Sequence, residues 1–227
     1  RRVIDSSLNF VNGSDAILTI GIKPTRPEVG YGYIEAVLGN STLSNKEVFR
    51  VDSFKEKPSY EVAEAYVAKN NFYWNAGIFI WNVSTIVNAF RVYQSPIASI
   101  FESLMPYFFT PEEQEHVDAR FPECRNISVD YAIMERADEI FVFPASFGWS
   151  DLGTWLSLHD NLQQDINRNV AIGNDVRFAD TRNCFVSTHG MKRVVVIGMD
   201  NCVIAEKDNN LLVCKMGEEN RIKDIAD

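Results

Sequence analysis

Residues 147–155 read FGWSDLGTW, and the segments on either side of this stretch differ in their periodicity. Residues 139–144 before it (EIFVFP) form an apolar run of strand length. Residues 152–162 after it place apolar side chains at helical spacing. The pattern predicts a buried strand, a short turn and a helix whose N-cap is Ser150 or Asp151. A buried strand that leads directly into a helix is typical of α/β proteins.

Asp151 is the carboxylate of this stretch, and two kinds of role fit it. As an N-cap it would accept hydrogen bonds from free backbone N–H groups of the helix, which stabilises a helix by about 1 kcal/mol. At the end of a buried strand, a carboxylate can also bind a metal ion or take part in catalysis. The residues alone leave both roles open.

Composition and charge argue against several classes of protein. The 227 residues carry a net charge of −9, and no basic cluster with interleaved aromatic residues occurs, so a nucleic acid is not an expected partner. No apolar run is long enough to span a membrane, and no signal peptide is recognisable. The four cysteines lack CxxC spacing, which is typical of reduced, buried thiols. We therefore expect a cytoplasmic protein without a membrane partner.

The sequence before residue 139 alternates between helical and strand patterns. Apolar residues at positions 4, 8 and 11 predict a helix, and residues 16–22 (AILTIGI) predict a buried strand of the kind found in parallel sheets. Further strands are expected at 33–38, 48–54 and 72–82, and helices at 61–70, through most of 83–127 and at 128–135. This order predicts an α/β domain over residues 1–165, with flanking helices.

Residues 166–227 have a different texture. Short apolar segments recur about every eight to ten residues between Gly, Asn and Asp, which predicts a small all-β module, such as a few rungs of a β-solenoid. Residues 220–227 look like the beginning of a helix. Because a short coil cannot cover its own ends, we expect a homodimer that forms through this C-terminal module.

Four further sites carry candidate chemistry, and each also has a purely structural interpretation. Tyr31 and Gly32 lie in a loop rich in Pro and Gly that lets a ligand approach the backbone, although it could be a surface connection. The adjacent Glu56 and Lys57 could bind sugar hydroxyls and a phosphate, although such pairs are usually solvated. Asn75 lies within an apolar strand and needs hydrogen-bond partners there.

The fourth site is Asp130, in the first turn of the helix predicted at 128–135 with Ser128 as its N-cap. An acidic residue at this position stabilises the helix dipole, so its presence alone does not indicate a ligand.

These sites coincide with a set of family motifs. The segments are WSDLG at 149–153, GYGYI at 30–34, FKEKP at 54–58, WNAGIF at 74–79 and SVDYAIME at 128–135. They resemble, in order and along nearly the whole chain, the mannose-1-phosphate guanylyltransferases, which are sugar nucleotidyltransferases.

The resemblance implies a fold and an activity. The fold would be an incomplete Rossmann-like nucleotidyltransferase domain with a mixed sheet, followed by a short left-handed β-helix used in dimer contacts. The activity would be transfer of GMP from GTP to mannose 1-phosphate, which gives GDP-mannose and pyrophosphate. By the resemblance, Asp151 binds Mg²⁺ and Lys57 meets phosphate. Glu56 and Asn75 bind sugar hydroxyls, and Tyr31, Gly32 and Asp130 line the sugar pocket.

One departure from the family pattern affects the nucleotide. The glycine-rich triphosphate loop and a second metal-binding aspartate belong to an opening βαβ segment of the family, and no glycine cluster of that kind occurs in this sequence. We expect that the chain is a fragment of a longer protein and supplies the part of the site that binds the acceptor, mannose 1-phosphate. Alone, it is expected to bind GTP poorly and to catalyse no reaction. Alternatives are a pyrophosphorylase for another sugar 1-phosphate or nucleotide, a non-catalytic regulatory homologue, and a glycosidase with paired carboxylates.

Overall fold

The computed structural model describes residues 1–41, 47–190, 193–218, 221–222 and 225. The chain divides into two compact units, Arg1–Trp149 and Ser150–Asp227, and each is described by itself. The helix predicted from residue 152 belongs to the second unit, so this division precedes the boundary predicted at residue 165. The physical reason is that Trp155 and Leu158 pack against the β-strand core of that unit.

The first unit contains five strands and five α-helices within the described residues. In chain order its elements are α1 (Arg2–Val11), β1 (Ile17–Ile22), β2 (Tyr33–Ser41), β3 (Phe49–Lys55), α2 (Tyr60–Lys69), β4 (Phe72–Ile80), α3 (Val83–Tyr93), α4 (Ser95–Leu104), α5 (Glu113–Arg120) and β5 (Ile140–Ala145). A 3₁₀ turn (Phe121–Glu123) and a short π-helix (Asp130–Met134) lie between α5 and β5. All six residues of β1 are buried, as its continuous apolar sequence predicts.

The five strands form a closed ring in the order β1, β4, β2, β3, β5. β1 and β5 are parallel and the other pairs are antiparallel, so the sheet is mixed. β3 and β5 close the ring, because Phe49 and Arg50 of β3 pair with Val142 and Phe141 of β5.

The predicted helix at 128–135 is present only as the π-helix, whose five-residue span begins at Asp130. Ser128 does not cap it with its side chain. The N-cap position is Val129, without a side-chain hydrogen bond, and the Ser128 carbonyl instead accepts the Ala132 N–H at 2.9 Å. Single-turn π-helices recur at functional sites, so Asp130 stays a candidate.

The second unit consists of one helix and six short strands within the described residues. They are α6 (Trp155–Asn161), β6 (Val170–Ile172), β7 (Val176–Ala179), β8 (Phe185–Ser187), β9 (Val194–Ile197), β10 (Cys202–Lys207) and β11 (Asn210–Lys215). β6, β8 and β10 stack in parallel in one sheet, β7 and β9 stack in parallel in another, and β11 returns antiparallel to β10. Consecutive strands thus alternate between two sheets as far as β10.

The core of this second unit is a column of apolar side chains. The register aligns Val170 with Phe185 and Phe185 with Val203, and all three are fully or nearly fully buried. All four cysteines are free thiols, of which Cys184 and Cys202 are buried. Most of the segment predicted as a terminal helix, residues 220, 223–224 and 226–227, lies outside the described residues.

Candidate functional site

Asn75 lies at an irregularity in β4. Gly21 of β1 pairs with Asn75, but Thr19, only two residues before it, pairs with Phe79, so β4 has extra residues in a bulge. Gly77 in this bulge has φ +67°, in the left-handed region that favours glycine. Bulges re-aim side chains and occur next to active sites. The strand predicted at 72–82 is therefore found, but it is not regular where its one candidate residue lies.

The Asn75 side chain joins residues that are far apart in sequence. Its amide nitrogen donates a hydrogen bond to Asp130 Oδ1 at 2.8 Å. Its amide oxygen accepts the Gly77 backbone N–H at 3.0 Å and the hydroxyl of Thr19 at the longer distance of 3.5 Å. The structure thus brings together Asn75 and Asp130, two residues singled out from the sequence, and adds Thr19.

Gly32 and Glu56 are in direct contact. A Cβ built on Gly32 would collide with the Glu56 carboxylate and would lie 3.5 Å from the Asn75 Cβ. The Gly32 carbonyl also accepts the Asn75 backbone N–H at 2.8 Å. Glycine at this position lets the Glu56 carboxylate occupy the place that a side chain would take. Gly32, Glu56, Asn75 and Asp130 therefore form one polar wall, which we call the Asn75 wall.

Lys57 extends this wall with a positive charge. Its Nζ lies 3.4 Å from Glu56 Oε1, and its side chain is 66 % exposed whereas that of Glu56 is 23 % exposed. Lys57 has φ 44°, an uncommon backbone conformation for a residue with a side chain. Such outliers cluster at functional sites, and an exposed ammonium is free to leave the ion pair for a phosphate.

Aromatic rings pack behind the loop that precedes Gly32. Tyr31 makes edge-to-face contacts with Trp74 and Trp149, with ring centroids 5.3 and 5.2 Å apart. The Arg26 guanidinium lies over the Trp74 ring at 5.6 Å from its centroid. Tyr31 is buried, so its ring holds the loop in place. Its contact with a sugar stays a prediction.

Asp151 is an exposed residue of the second unit in a tightly turned segment. Its Oδ1 accepts the Gly153 N–H at 3.0 Å, the Ser150 hydroxyl oxygen accepts the Leu152 N–H at 3.3 Å, and Leu152 has φ 51°. These bonds end before the helix begins, so the prediction of Ser150 or Asp151 as its N-cap is wrong.

Thr154 is the N-cap of α6. Its side-chain oxygen accepts the Ser157 N–H at 3.1 Å, while the Ser157 hydroxyl oxygen accepts the Thr154 N–H at 3.2 Å, which is a capping box. Because Thr154 satisfies the helix end, capping no longer explains why an aspartate occupies position 151.

The fit of Mg²⁺ to these residues depends on how many ligands they supply. Among the described residues, no group of three His, Cys, Asp or Glu side chains is arranged to hold a metal. Mg²⁺ is commonly bound through one or two carboxylates together with substrate phosphates and waters. Asp151, exposed and bonded through one oxygen, fits the part of a single carboxylate ligand in such a shell.

An apolar groove is formed by residues other than those of the Asn75 wall. A groove of about 560 Å³ between α3 and α4 is lined mainly by apolar residues, among them Ile86, Phe90, Phe101 and Met105. Phe101 in this groove is 39 % exposed. None of the sequence-predicted site residues lines this groove.

Across the part of the chain that the structure describes, no helix is long and apolar enough to cross a membrane.

Two residues that bond the Asn75 side chain, Thr19 and Gly77, were not singled out from the sequence. Thr19 is fully buried in β1, in a run that reads as ordinary core, and its only signal is a hydroxyl amid apolar neighbours. Gly77 carries a clearer signal, because an isolated glycine within a strand pattern indicates a bulge.

Comparison with known proteins shows the family. A family model described as nucleotidyl transferase matches residues 6–168, which is most of the chain and includes every site residue named above. The chain belongs to this family. The family assignment agrees with the mixed α/β architecture of the first unit.

Relatives within the family support the resemblance seen in the motifs. The mannose-1-phosphate guanylyltransferase of Escherichia coli is 31% identical over 226 residues, which cover 98% of this chain and 48% of that protein. The alginate biosynthesis protein AlgA of Pseudomonas fluorescens is 34% identical over 215 residues, 92% of this chain and 43% of that protein. The chain thus spans about half the length of the curated relatives it matches.

A solved structure shares the fold. The crystal structure described as mannose-1-phosphate geranyltransferase from Thermus thermophilus superimposes with a TM-score of 0.79 at 27% sequence identity. The match covers 99% of this chain and 63% of that one.

Proposed function

We propose that the protein containing this chain transfers GMP from GTP to mannose 1-phosphate. A phosphate oxygen of mannose 1-phosphate forms a bond to the α-phosphorus of GTP, the bond to the β-phosphate bridging oxygen breaks, and pyrophosphate leaves. The observation that carries the proposal is the Asn75 wall, in which Glu56, Asn75 and Asp130 offer carboxylates and an amide beside the cation of Lys57. A sugar phosphate requires both kinds of group.

Within this proposal each residue of the wall has a role. Glu56 and Asn75 bind sugar hydroxyls, Asp130 lines the same pocket, and Lys57 leaves Glu56 to meet the phosphate. Gly32 and Tyr31 shape the pocket without donating side-chain hydrogen bonds to the sugar. These groups act mainly by aligning the acceptor phosphate, since phosphoryl transfer depends on positioning and charge more than on covalent steps.

Asp151 is the proposed Mg²⁺ ligand. The ion, when bound together with the nucleotide, would neutralise charge that develops on the phosphates. Asp151 keeps one oxygen bonded to the Gly153 N–H, and this bond holds the carboxylate at a fixed place in the turn. No glycine-rich phosphate loop occurs in the sequence, so we propose that this chain by itself binds GTP weakly and does not turn over.

The activity is tested with the full-length protein by measuring pyrophosphate release. Mannose 1-phosphate is compared with glucose 1-phosphate, galactose 1-phosphate and N-acetylglucosamine 1-phosphate, each with GTP, ATP, UTP and CTP. We expect the highest kcat/KM for mannose 1-phosphate with GTP. A higher kcat/KM for another pair would assign a different pyrophosphorylase, and binding without turnover for every pair would favour a regulatory homologue.

The second unit has a proposed role in assembly. We propose that its alternating strands form a short left-handed β-helix that pairs two copies of the protein. Exposed apolar side chains on β9 and β11 support this, namely Val195, Ile197, Leu211 and Val213. Light scattering of the full-length protein should show a dimer at micromolar concentration, and Leu211→Lys should shift it toward monomer. A monomeric wild type would refute the pairing.

A further inference from the structure

The orientation of the Asn75 amide is determined by its surroundings. The amide oxygen lies between two donors, the Gly77 backbone N–H at 3.0 Å and the Thr19 hydroxyl at 3.5 Å, whereas the nitrogen lies 2.8 Å from an Asp130 carboxylate oxygen. Turning the amide over would oppose donor to donor at Gly77 and acceptor to acceptor at Asp130. Only one of the two orientations satisfies these neighbours.

The two groups that bond the amide oxygen lie on two strands. The Gly77 N–H can only donate and therefore selects the orientation, whereas the Thr19 hydroxyl can donate or accept and holds the amide in place. Thr19 is fully buried on β1, where it pairs with Phe79 across the bulge. Gly77 lies within the bulge of β4, where its backbone has a φ of +67° and its N–H donates to the Asn75 oxygen two residues earlier. A β-branched residue would disfavour this backbone conformation, whereas asparagine tolerates it.

We propose that Gly77 and Thr19 are positioning residues. Gly77 fixes which way the Asn75 amide faces, Thr19 holds that amide in place, and together they decide which ligand hydroxyl the site accepts. With its oxygen occupied, Asn75 presents its second N–H as a donor, and the adjacent Asp130 presents its second oxygen as an acceptor. One hydroxyl that accepts from Asn75 and donates to Asp130 satisfies both. This inference rests on the proposed function, in which Asn75 contacts the sugar.

The arrangement makes the site selective against a sugar that lacks this hydroxyl. Without it, the Asn75 donor and the Asp130 acceptor would both be left without a ligand partner, and a polar site rejects such an analogue more strongly than an apolar pocket rejects a missing methylene. If the amide were free to turn over or to move from its place, its N–H would face the ligand hydroxyl in only part of the population, and selectivity would fall.

The first test compares Thr19→Val with Thr19→Ser in the full-length protein. Valine keeps the branched shape and removes the hydroxyl, and serine keeps the hydroxyl. For Thr19→Val we expect KM for mannose 1-phosphate to rise about threefold to tenfold, the range for loss of one neutral hydrogen bond. KM for GTP should stay the same, and Thr19→Ser should restore the wild-type value.

The selectivity between mannose 1-phosphate and its deoxy analogues distinguishes a positioning role of Thr19 from a purely structural one. Mannose 1-phosphate is compared with its 2-, 3-, 4- and 6-deoxy analogues. For one analogue, the ratio of kcat/KM values in the wild type should be large, and Thr19→Val should reduce it by about threefold or more. If Thr19 only packs β1, Thr19→Val would lower the melting temperature and leave every ratio unchanged, which would overturn its role.

Gly77 provides an independent pair of variants if Thr19→Val does not fold. Gly77 is exposed, and no atom lies within 4 Å of a Cβ built on it, so a substitution acts through backbone conformation and not through a clash. Gly77→Asn should keep the wild-type KM and selectivity, and Gly77→Val should change both in the direction expected for Thr19→Val. Equal behaviour of the two variants would overturn the role of the bulge.

A substrate-free measurement separates this inference from the proposed function. The side-chain amide signals of Asn75 are observed by NMR in protein labelled with ¹⁵N-asparagine, and are assigned with Asn75→Asp. We expect slow proton exchange of the Asn75 amide in the wild type and faster exchange in Thr19→Val and Gly77→Val. If amide exchange is faster in the variants but the wild-type protein does not use mannose 1-phosphate, the positioning role of Thr19 and Gly77 is supported and the proposed guanylyltransferase function is refuted. Unchanged exchange in both variants would refute the positioning role.

Discussion

Asn75 and Asp151 are both polar residues of candidate importance, but different kinds of contact hold them. The Asn75 amide bonds to Asp130, 55 residues away in sequence, and contacts Thr19, 56 residues away. Asp151 accepts a bond from Gly153, only two residues away. The position of Asn75 therefore depends on the closed ring of strands, whereas that of Asp151 depends on one turn.

This difference determines what a substitution reports. A change at a locally held residue removes the chemical group and leaves the rest of its unit unaltered. A change in the Asn75 wall also displaces neighbours that are remote in sequence. The difference between Asp151 and the Asn75 wall can therefore be tested with variants for which activity and stability are measured separately.

The largest effect is expected for Asp151→Asn in the full-length protein. The asparagine oxygen can still accept the Gly153 N–H, so the turn persists, but the charge that would bind Mg²⁺ is lost. We expect kcat to fall at least a hundredfold, equivalent to about 2.7 kcal/mol, with a melting temperature close to that of the wild type. Steady-state pyrophosphate release and thermal unfolding measure the two quantities.

Asp208→Asn is the matched control for this variant. Asp208 is an exposed aspartate of the same unit with φ 51°, a conformation that asparagine adopts as readily. Its kcat should equal that of the wild type. If Asp151→Asn kept more than about a tenth of wild-type activity, the metal-binding role of Asp151 would be rejected.

A smaller effect on activity is expected for Gly32→Ala, which tests a contact between residues 24 positions apart. The new methyl group would displace the Glu56 carboxylate, which is the mobile end of a side chain, so the fold should persist. Loss of charged hydrogen bonds to a hydroxyl should raise KM for mannose 1-phosphate about tenfold to a hundredfold.

Gly30→Ala in the same loop serves as the control for Gly32→Ala. A Cβ on Gly30 meets only the Glu28 carboxylate at 3.5 Å, an ordinary contact distance. Its KM should stay within about twofold of the wild type. Equal KM values for the two variants would show that the Glu56 position does not matter for binding.

An effect on stability alone is expected for Thr154→Ala. Loss of the side-chain bond to the Ser157 N–H should lower the free energy of unfolding by about 1 kcal/mol, as measured by urea titration. Ser150→Ala should change it by less than about 0.5 kcal/mol, because Ser150 does not cap the helix. The reverse order would restore Ser150 as the cap.

The smallest effect is a pH dependence at Asp175. Hydrogen bonds from Arg193 and then Arg177 lower the pKa of this half-buried carboxyl below its ordinary value of 3.8. A lowered folded-state pKa contributes stability above about pH 3.8, and this contribution is lost as pH falls through the folded-state value. The difference in unfolding free energy between wild type and Asp175→Asn should be constant from pH 7 to 5 and shrink below pH 4. A difference that grew on acidification would contradict this sign.

The sequence predicts best those features that depend on neighbouring residues. The strands at 33–38, 48–54 and 139–144 are found because their apolar runs and flanking breakers are local signals. The cap at Thr154 is also local, yet it was missed. Ser150 and Asp151 precede the same apolar residues, and Ser157 replaces the Glu or Gln that marks a capping box.

Features that join distant segments are not visible in the sequence. Closure of the ring requires β3 to pair with β5 through only two residue pairs, Phe49 with Val142 and Arg50 with Phe141, and no pattern in either strand specifies its partner. The family motifs identified Asn75 and Asp130, but not the bond between them, which joins β4 to the π-helix. The contact of Asn75 with the buried hydroxyl of Thr19 follows from the pairing of β1 with β4.

The parallel stack of β6, β8 and β10 has a consequence for how the second unit can change in length. Positions 18 residues apart match between β8 and β10, where Arg182 also bonds Asp200 and Asn183 bonds Asn201, whereas β6 and β8 match at a spacing of 15. Duplication of one such segment should add a level without disturbing those beside it, because each level contacts mainly its neighbours. β11 reverses direction against β10, so growth by duplication is possible within the stack but ends at this hairpin.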